Sequence, residues 1–149
     1  MQKAQDIMTK DVITVTPATT VTELALLLAS HKISGAPVID SSGALLGVVT
    51  ESDLIDQKKK IHIPTVVTIL DSVFYLENPD KMAKEMKKIA GSTVGDIYSK
   101  DPLTVTADTH LDEIATLMAE KNVHTLPVMQ GAKLVGVIGK KDIIKTLIS

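Results

Sequence analysis

DIMTKDVITVTPATTVTELALLLASHKISGAPV (residues 6–38) is repeated as DIYSKDPLTVTADTHLDEIATLMAEKNVHTLPV (residues 96–128), and the architecture of the chain follows from this repetition. At a shift of 90 residues, 14 of the 33 aligned positions are identical. Beyond this stretch the shift becomes 89, because residues 41–43 are one residue longer than residues 130–131. A turn between two strands absorbs such a change at little cost. The chain therefore contains an internal duplication, which has to be recognised before any single motif is interpreted.

Each copy has the apolar periodicity of a β-α-β-β-α unit of about 55 residues. The first helix opens with Thr19 and Thr20, and Glu23 is placed to complete a capping box. One buried helical stripe is predicted in each copy: Val21, Leu24, Ala25 and Leu28, matched by Leu111, Ile114, Ala115 and Met118. The predicted strands are residues 13–15, 36–39 and 45–49, and in the second copy 103–105, 126–129 and 134–138; the last helices begin near Glu51 and Lys140. One unit is too small to bury much surface alone, so we expect the two to pack together.

The composition is that of a globular protein, since 44% of the 149 residues are hydrophobic and 23% are charged. No run of about 18 apolar residues predicts a membrane span, and the N-terminal MQKAQDIMTKD lacks the features of a signal peptide. The absence of cysteine excludes disulfides and thiol chemistry. A net charge of −2 and an aromatic content of 2% leave neither a basic face nor stacking platforms for nucleic acid. We therefore expect a cytoplasmic protein that binds neither nucleic acid nor membrane.

GVVTESD at residues 47–53 and GVIGKKD at residues 136–142 end the two copies and are candidate ligand contacts. Thr50 lies where a strand passes into a helix, so its hydroxyl and the neighbouring N–H groups suit a phosphate. Asp53 follows in the first turn, and a carboxylate accepts hydrogen bonds from the two hydroxyls of a ribose. The alternative is that Thr-x-x-Asp simply caps the helix. In the second copy Gly139 has no capping side chain while the aspartate remains, and we therefore favour the ligand role.

The paired TVTP and TVTA segments, the SGAPV and HTLPV segments and the GVVTESD and GVIGKKD endings resemble the cystathionine-β-synthase (CBS) domain pair, or Bateman module. The resemblance implies an α/β (α+β) fold in which two β-α-β-β-α repeats pack sheet to sheet about a pseudo-twofold axis. It also implies two clefts between the repeats, which in this family commonly bind adenosyl compounds, and assembly as a dimer. The ligands implied are AMP, ADP or ATP.

The family pattern transfers to particular positions of this sequence. It assigns the phosphate and ribose roles to Thr50 and Asp53, and it places the base around the segments before and after the first helix. The residues concerned in the first copy are Val12, Ile33, Ser34, Gly35, Ala36, Thr50 and Asp53; those in the second are Pro102, Val123, His124, Thr125, Gly139, Lys141 and Asp142.

The second site departs from the pattern, because Gly139 offers no hydroxyl to a phosphate. Lys140 and Lys141 either compensate as point charges or are simply solvated. His124 replaces Ser34, and it either approaches a phosphate or is an ordinary surface residue. The histidines at 31, 62 and 110 have no metal-like spacing, and we predict no metal site.

The central insertion, residues 60–91, separates repeats predicted at residues 1–59 and 92–149. Pro64-Thr65 opens one predicted helix, and Asn78-Pro79 ends it and opens another. The apolar positions of these helices are Val66, Ile69, Leu70, Val73, Phe74, Met82, Met86 and Ile89. They either cover the module's own core or form a dimer or effector-docking surface; a membrane anchor is the weakest alternative, because acidic residues interrupt the pattern.

No nucleophile elbow, P-loop, dinucleotide fingerprint or metal-binding motif occurs, and Asp53 and Asp142 belong to separate units. The chain is therefore expected to be a stand-alone regulatory sensor without enzymatic activity, which binds an adenosyl ligand and signals to an effector protein. One alternative is a ligand-independent dimerising scaffold that acts through the insertion. Another is a sensor of S-adenosylmethionine or cyclic di-AMP.

Overall fold

The computed structural model describes residues 2–55 and 92–148. The central insertion and the helices predicted in it lie outside the described residues. Six helices are described: α1 (Ala4–Ile7), α2 (Val21–His31), α3 (Glu51–Ile55), α4 (Val94–Ile97), α5 (Leu111–Lys121) and α6 (Lys140–Thr146). Six strands accompany them: β1 (Gly35–Ile39), β2 (Leu45–Thr50), β3 (Ser99–Lys100), β4 (Val105–Thr106), β5 (Thr125–Gln130) and β6 (Lys133–Gly139).

The strands form two three-stranded sheets, β1-β2-β3 and β4-β5-β6. Each sheet contains one antiparallel hairpin, with Gly35 paired to Thr50 in one and Thr125 paired to Gly139 in the other, and the central strands are β2 and β5. The hairpin strands agree with the sequence prediction to within one residue at either end, and α3 and α6 begin at the predicted residues.

The first predicted strand of each repeat is shorter than expected. Val15 forms only an isolated parallel bridge with Val38, and β4 begins at Val105 rather than two residues earlier. A local turn ends the extended stretch in both repeats. The Thr16 N–H donates to the Thr19 hydroxyl at 3.1 Å, as the Thr106 N–H does to the Thr109 hydroxyl at 3.0 Å. These hydroxyl-mediated turns compete with further strand pairing.

Helix α2 carries the predicted capping box. The Glu23 N–H donates to the Thr20 hydroxyl, and the Thr20 N–H donates to the Glu23 carboxylate, both at 3.1 Å. All four residues of its predicted stripe are buried. In α5 the prediction holds for Ile114 and Met118, whereas Leu111 and Ala115 are only half-buried.

The two repeats exchange their N-terminal segments. Strand β3 belongs to the second repeat in sequence, but it pairs with β2 of the first repeat. Reciprocally, Thr9 of the first repeat bridges to Val137 of the second, with N–H to carbonyl distances of 2.8 and 3.0 Å. Each exchanged segment brings a short helix with it, so α1 contributes Ala4 to the second core and α4 contributes Val94 and Ile97 to the first.

Two glycines at equivalent positions make room for this exchange. A Cβ on Gly47 would overlap the carbonyl oxygen of Ser99 and approach the ring of Tyr98 to 2.7 Å. A Cβ on Gly136 would overlap the side chain of Met8. The glycines of GVVTESD and GVIGKKD are therefore explained by packing: each one lies under the segment that the other repeat supplies.

The two sheets meet at the starts of β1 and β5. A Cβ on Gly35 would lie 2.7 Å from the Thr125 hydroxyl and 2.9 Å from the Thr50 methyl, so the backbones approach closely there. Clefts open on the two sides of this contact. No helix within residues 2–55 and 92–148 is long and apolar enough to cross a membrane.

Candidate ligand-binding clefts

The first cleft, here called the Asp53 cavity, has a volume of about 410 Å³. Its first wall is the junction of β2 and α3, where Thr50 and Asp53 lie. The opposite wall comes entirely from the second repeat, through residues 99–103 and 122–125. The cavity is therefore completed by the exchanged segment of the other repeat.

The second cleft, the Asp142 cavity, is larger, with a volume of about 980 Å³. Gly139 and Asp142 form one wall at the junction of β6 and α6. The other wall is built from the first repeat, by Thr9, Asp11 and Ile13 and by residues 31–35. The arrangement repeats that of the Asp53 cavity with the roles of the two repeats reversed.

The predicted site residues are divided between these cavities. The Asp53 cavity contains Ser34, Thr50, Asp53, Pro102, Val123, His124 and Thr125; the Asp142 cavity contains Ile33, Ser34, Gly35, Thr125, Gly139, Lys141 and Asp142. Ser34 and Thr125 line both. Val12 and Ala36 line neither of the two, and Ala36 is fully buried.

One part of the predicted arrangement is corrected. The sequence grouped Ile33 and Gly35 with Asp53, but the structure places them in the cavity of Asp142. The physical reason is the side-by-side packing of the repeats: the loop after α2 faces α6 of the second repeat. The equivalent loop, with Val123 and His124, faces α3 of the first repeat.

Asp53 caps its own helix. One of its carboxylate oxygens accepts the Thr50 N–H at 2.8 Å and the Thr50 hydroxyl at 3.3 Å. Asp53 is only half-buried and lines the cavity, and a carboxylate provides about four acceptor positions. Capping and ligand contact are therefore compatible at this residue.

Asp142 makes the same capping bond, since it accepts the Gly139 N–H at 2.7 Å. Its other oxygen accepts a long hydrogen bond, 3.4 Å, from the Thr9 hydroxyl of the exchanged segment. The expectation that the second copy lacks a local cap is therefore wrong. The acceptor is the aspartate and the donor is a backbone N–H, so residue 139 needs no side chain for the bond to form.

Lys141 is tied to the opposite repeat. Its ammonium donates to the backbone carbonyl of Lys32, the residue that ends α2 in a left-handed conformation (φ 55°). Both residues line the Asp142 cavity, so this bond joins the two repeats at its wall. His124 is exposed and lines the Asp53 cavity.

Apolar side chains form part of the walls of both cavities. Val48, Leu103 and Val123 accompany Pro102 in the Asp53 cavity. The wall residues of the Asp142 cavity are Ile13, Leu28, Ile33, Pro37, Ile55 and Val137. Such walls, with a few polar groups converging on them, are typical of sites for a small organic ligand.

Several lining residues were missed by sequence reasoning, among them Thr9, Lys32, Ser99, Lys100, Asn122 and Lys145. Some of them occupy equivalent positions in the two repeats, so aligning the repeats could have identified them: Thr9 is equivalent to Ser99, and Lys32 is equivalent to Asn122. Within the described ranges, no group of three or more His, Asp or Glu residues is placed to hold a metal ion.

The fold and the clefts together define a class: paired β-α-β-β-α repeats with a cleft at each side of their contact. A family model for the CBS domain matches residues 4–60 and again residues 94–149. The chain therefore belongs to the CBS-domain family, as a tandem pair, and the predicted α/β fold of two repeats is confirmed.

Two curated relatives come from Arabidopsis thaliana. The chloroplastic CBS domain-containing protein CBSX1 is 32% identical over 94% of this chain, and CBSX2 is 30% identical over 88%. The aligned regions span 61% and 56% of the lengths of these two proteins. A crystal structure of CBSX2 in complex with AMP has a TM-score of 0.71 and 29% identity, and the match covers 99% of this chain and 97% of that one.

Proposed function

We propose that this chain is a regulatory module that binds adenosine-containing ligands, of the AMP, ADP and ATP class, in the clefts between its two repeats. The observation that carries the proposal is the position of Asp53 and Asp142, each at the wall of a cavity that both repeats line. The similarity to CBSX2, a protein with a crystal structure in complex with AMP, supports the choice of ligand.

The chemistry of the cavity walls suits an adenosine. A half-buried carboxylate accepts hydrogen bonds from ribose hydroxyls, and the adjacent apolar residues, Leu103 and Val123 in the first cavity, provide surfaces for a flat base. The phosphate of such a ligand would be met by cationic side chains, which are present as Lys100 in one cavity and Lys141 in the other.

Binding would signal by changing the relative stability of two arrangements of the repeats. Each cavity takes one wall from each repeat, so a ligand that contacts both walls favours the arrangement in which they are correctly spaced. A partner protein that recognises one arrangement would then respond to the ligand. Self-association as a homodimer is part of the same proposal.

Thermal unfolding in the presence of AMP, ADP, ATP, S-adenosylmethionine and cyclic di-AMP tests the proposal. A ligand at about a hundred times its dissociation constant stabilises the folded protein by roughly 2.7 kcal/mol, which raises Tm by several degrees. With AMP as the ligand, Asp53→Ala and Asp142→Ala should each reduce the number of bound molecules measured by calorimetry.

The chain offers a matched control for these variants. Asp96 caps α4 with the same bonds, accepting the Thr93 N–H at 2.9 Å and the Thr93 hydroxyl at 3.3 Å, but it lines neither cavity. Asp96→Ala should lower stability and leave ligand affinity unchanged. If none of the adenosyl compounds raises the Tm of the wild-type protein, the proposal is overturned.

A further inference from the structure

The two cavities are equivalent in the fold but differ in charge at three pairs of equivalent positions. Glu51 and Ser52 of the first repeat correspond to Lys140 and Lys141 of the second. At the end of the preceding helix, Asn122 in the Asp53 cavity corresponds to Lys32 in the Asp142 cavity. All six residues line the cavities concerned.

The resulting balance of charge is opposite in sign. The Asp142 cavity has four lysines against three carboxylates, a formal charge of +1 with histidine neutral: Lys32, Lys140, Lys141 and Lys145 against Asp11, Glu51 and Asp142. The Asp53 cavity has one lysine against three carboxylates, a formal charge of −2: Lys100 against Glu51, Asp53 and Asp101.

The more positively charged cavity is also the larger of the two. The cavity with the lysines, at about 980 Å³, is more than twice the volume of the other, at about 410 Å³. The larger cavity therefore has the room, as well as the charge, for a chain of phosphates beyond the nucleoside.

Lys141 lines the larger cavity beside Asp142. Its ammonium donates to the Lys32 carbonyl of the other repeat, and an ammonium has further N–H donors beyond the one engaged. Lys140 is exposed beside it, on the same turn as Asp142. Two lysines therefore follow directly after Gly139, the position that carries a hydroxyl, as Thr50, in the first repeat.

We propose that the two cavities select different members of the adenosyl class. The Asp142 cavity takes a nucleoside polyphosphate, with Lys140 and Lys141 facing its phosphates. The Asp53 cavity takes an adenosyl ligand with little or no phosphate charge, because Glu51 and Asp101 repel additional anionic groups. This inference rests on the proposed function and specifies the ligand of each cleft.

Calorimetry on the full chain with ATP and with adenosine tests the assignment. ATP should fill one site per chain; Asp142→Ala should abolish that binding, whereas Asp53→Ala should retain it. The double variant Lys140→Glu/Lys141→Ser gives the second cavity the residues of the first. We expect it to weaken ATP by at least about tenfold and adenosine by less than about twofold, because only the phosphates meet these side chains.

The reverse double variant, Ser52→Lys/Asn122→Lys, supplies the matched experiment, because these two residues line the Asp53 cavity and not the Asp142 cavity. It should add a second ATP site to the Asp53 cavity, and that site should weaken as salt is raised, as expected of charge pairs at a partly open surface.

The outcomes separate the two proposals. If neither ATP nor adenosine binds the wild type, the proposed function itself fails. If both bind but the lysine substitutions weaken ATP and adenosine equally, or if ATP binding disappears in Asp53→Ala, the assignment of the phosphates is overturned while the adenosyl-binding function stands.

Discussion

The backbone N–H of Gly139 donates to the carboxylate of Asp142 at 2.7 Å, and this bond reproduces, in the other repeat, the one from Thr50 to Asp53. The Thr93 N–H makes the same bond to Asp96 away from both cavities. In all three helices, therefore, an aspartate at the third position caps the N-terminus by accepting the backbone N–H of the residue before the helix. What distinguishes Asp53 and Asp142 is that their helices begin at a cavity wall.

The first prediction concerns the stability contribution of these caps. Asp96→Ala should lower the free energy of unfolding by about 1 kcal/mol, because it leaves the Thr93 N–H without its acceptor. Urea unfolding followed by circular dichroism measures the change. A loss of adenosyl affinity in Asp96→Ala comparable to that in Asp53→Ala would show that the binding losses reflect unfolding rather than contact.

The second prediction concerns the two packing glycines. Gly47→Ala should destabilise the protein by roughly 1–3 kcal/mol, because the added methyl group meets the backbone carbonyl of Ser99, which cannot move without breaking the β2–β3 pairing. Gly136→Ala should cost less, because the methyl group meets the flexible side chain of Met8.

Equilibrium urea unfolding of both glycine variants gives the comparison. The two substitutions should be non-additive: Gly136→Ala should cost less in a Met8→Ala background than in the wild type, because the overlapping Sδ and Cγ atoms are then absent. Equal losses at the two glycines would contradict the packing described for the exchanged segments.

The third prediction tests the exchange itself. Ile97 is fully buried in the core of the first repeat, whereas Ile7, its equivalent, is half-buried at the core of the second. Ile97→Ala should therefore lower the free energy of unfolding by about 2–5 kcal/mol, and Ile7→Ala by distinctly less. Chemical denaturation measures both, and a larger loss for Ile7→Ala would refute the assigned packing.

The fourth prediction concerns pH. The Asp40 carboxylate accepts hydrogen bonds from the Ser42 hydroxyl at 2.7 Å and from the N–H groups of Ser42 and Ala44, both at 2.9 Å. The Ser42 hydroxyl is the main reason why the pKa of Asp40 lies below its ordinary value, with the Ala44 N–H next. A lowered folded-state pKa means that the contribution to stability is complete above the ordinary pKa of about 4 and is lost as pH falls through the folded-state pKa.

Asp40→Asn provides the measurement for this effect. The difference in unfolding free energy between wild type and Asp40→Asn should be constant near neutral pH and should shrink below about pH 4. A difference that does not change over the acidic range would contradict the role of the charged carboxylate in the turn.

Sequence reasoning predicted the local elements well, because their signals are local. The capping box of Thr20 and Glu23, the stripe through Leu24 and Leu28 and the hairpins all depend on neighbours within a few residues. The duplication then implied that two such units pack together, and the family resemblance implied the clefts. These features are present in the structure.

The exchange of segments was not predictable in the same way. Ile7 and Met8 have the same apolar pattern whether they pack on their own repeat or on the other, so periodicity carries no information about the partner. The mistaken grouping of Ile33 with Asp53 has the same origin. The cap at Asp142 was also missed. Its donor is the backbone N–H of Gly139, and a backbone donor cannot be recognised from the type of side chain at that position.

The reciprocal placement of α1 and α4 has a consequence for the origin of the chain. In a polypeptide that carried one copy alone, the short helix equivalent to α1 and α4 would have no second repeat to pack against. The core of that copy would also lack the apolar residues that the other repeat's short helix supplies. Two such polypeptides could supply each other's missing piece, so the ancestor before gene duplication would have been an obligate pair of identical subunits. By the same logic, two fragments obtained by cutting the chain between residues 56 and 91 should reassemble when mixed.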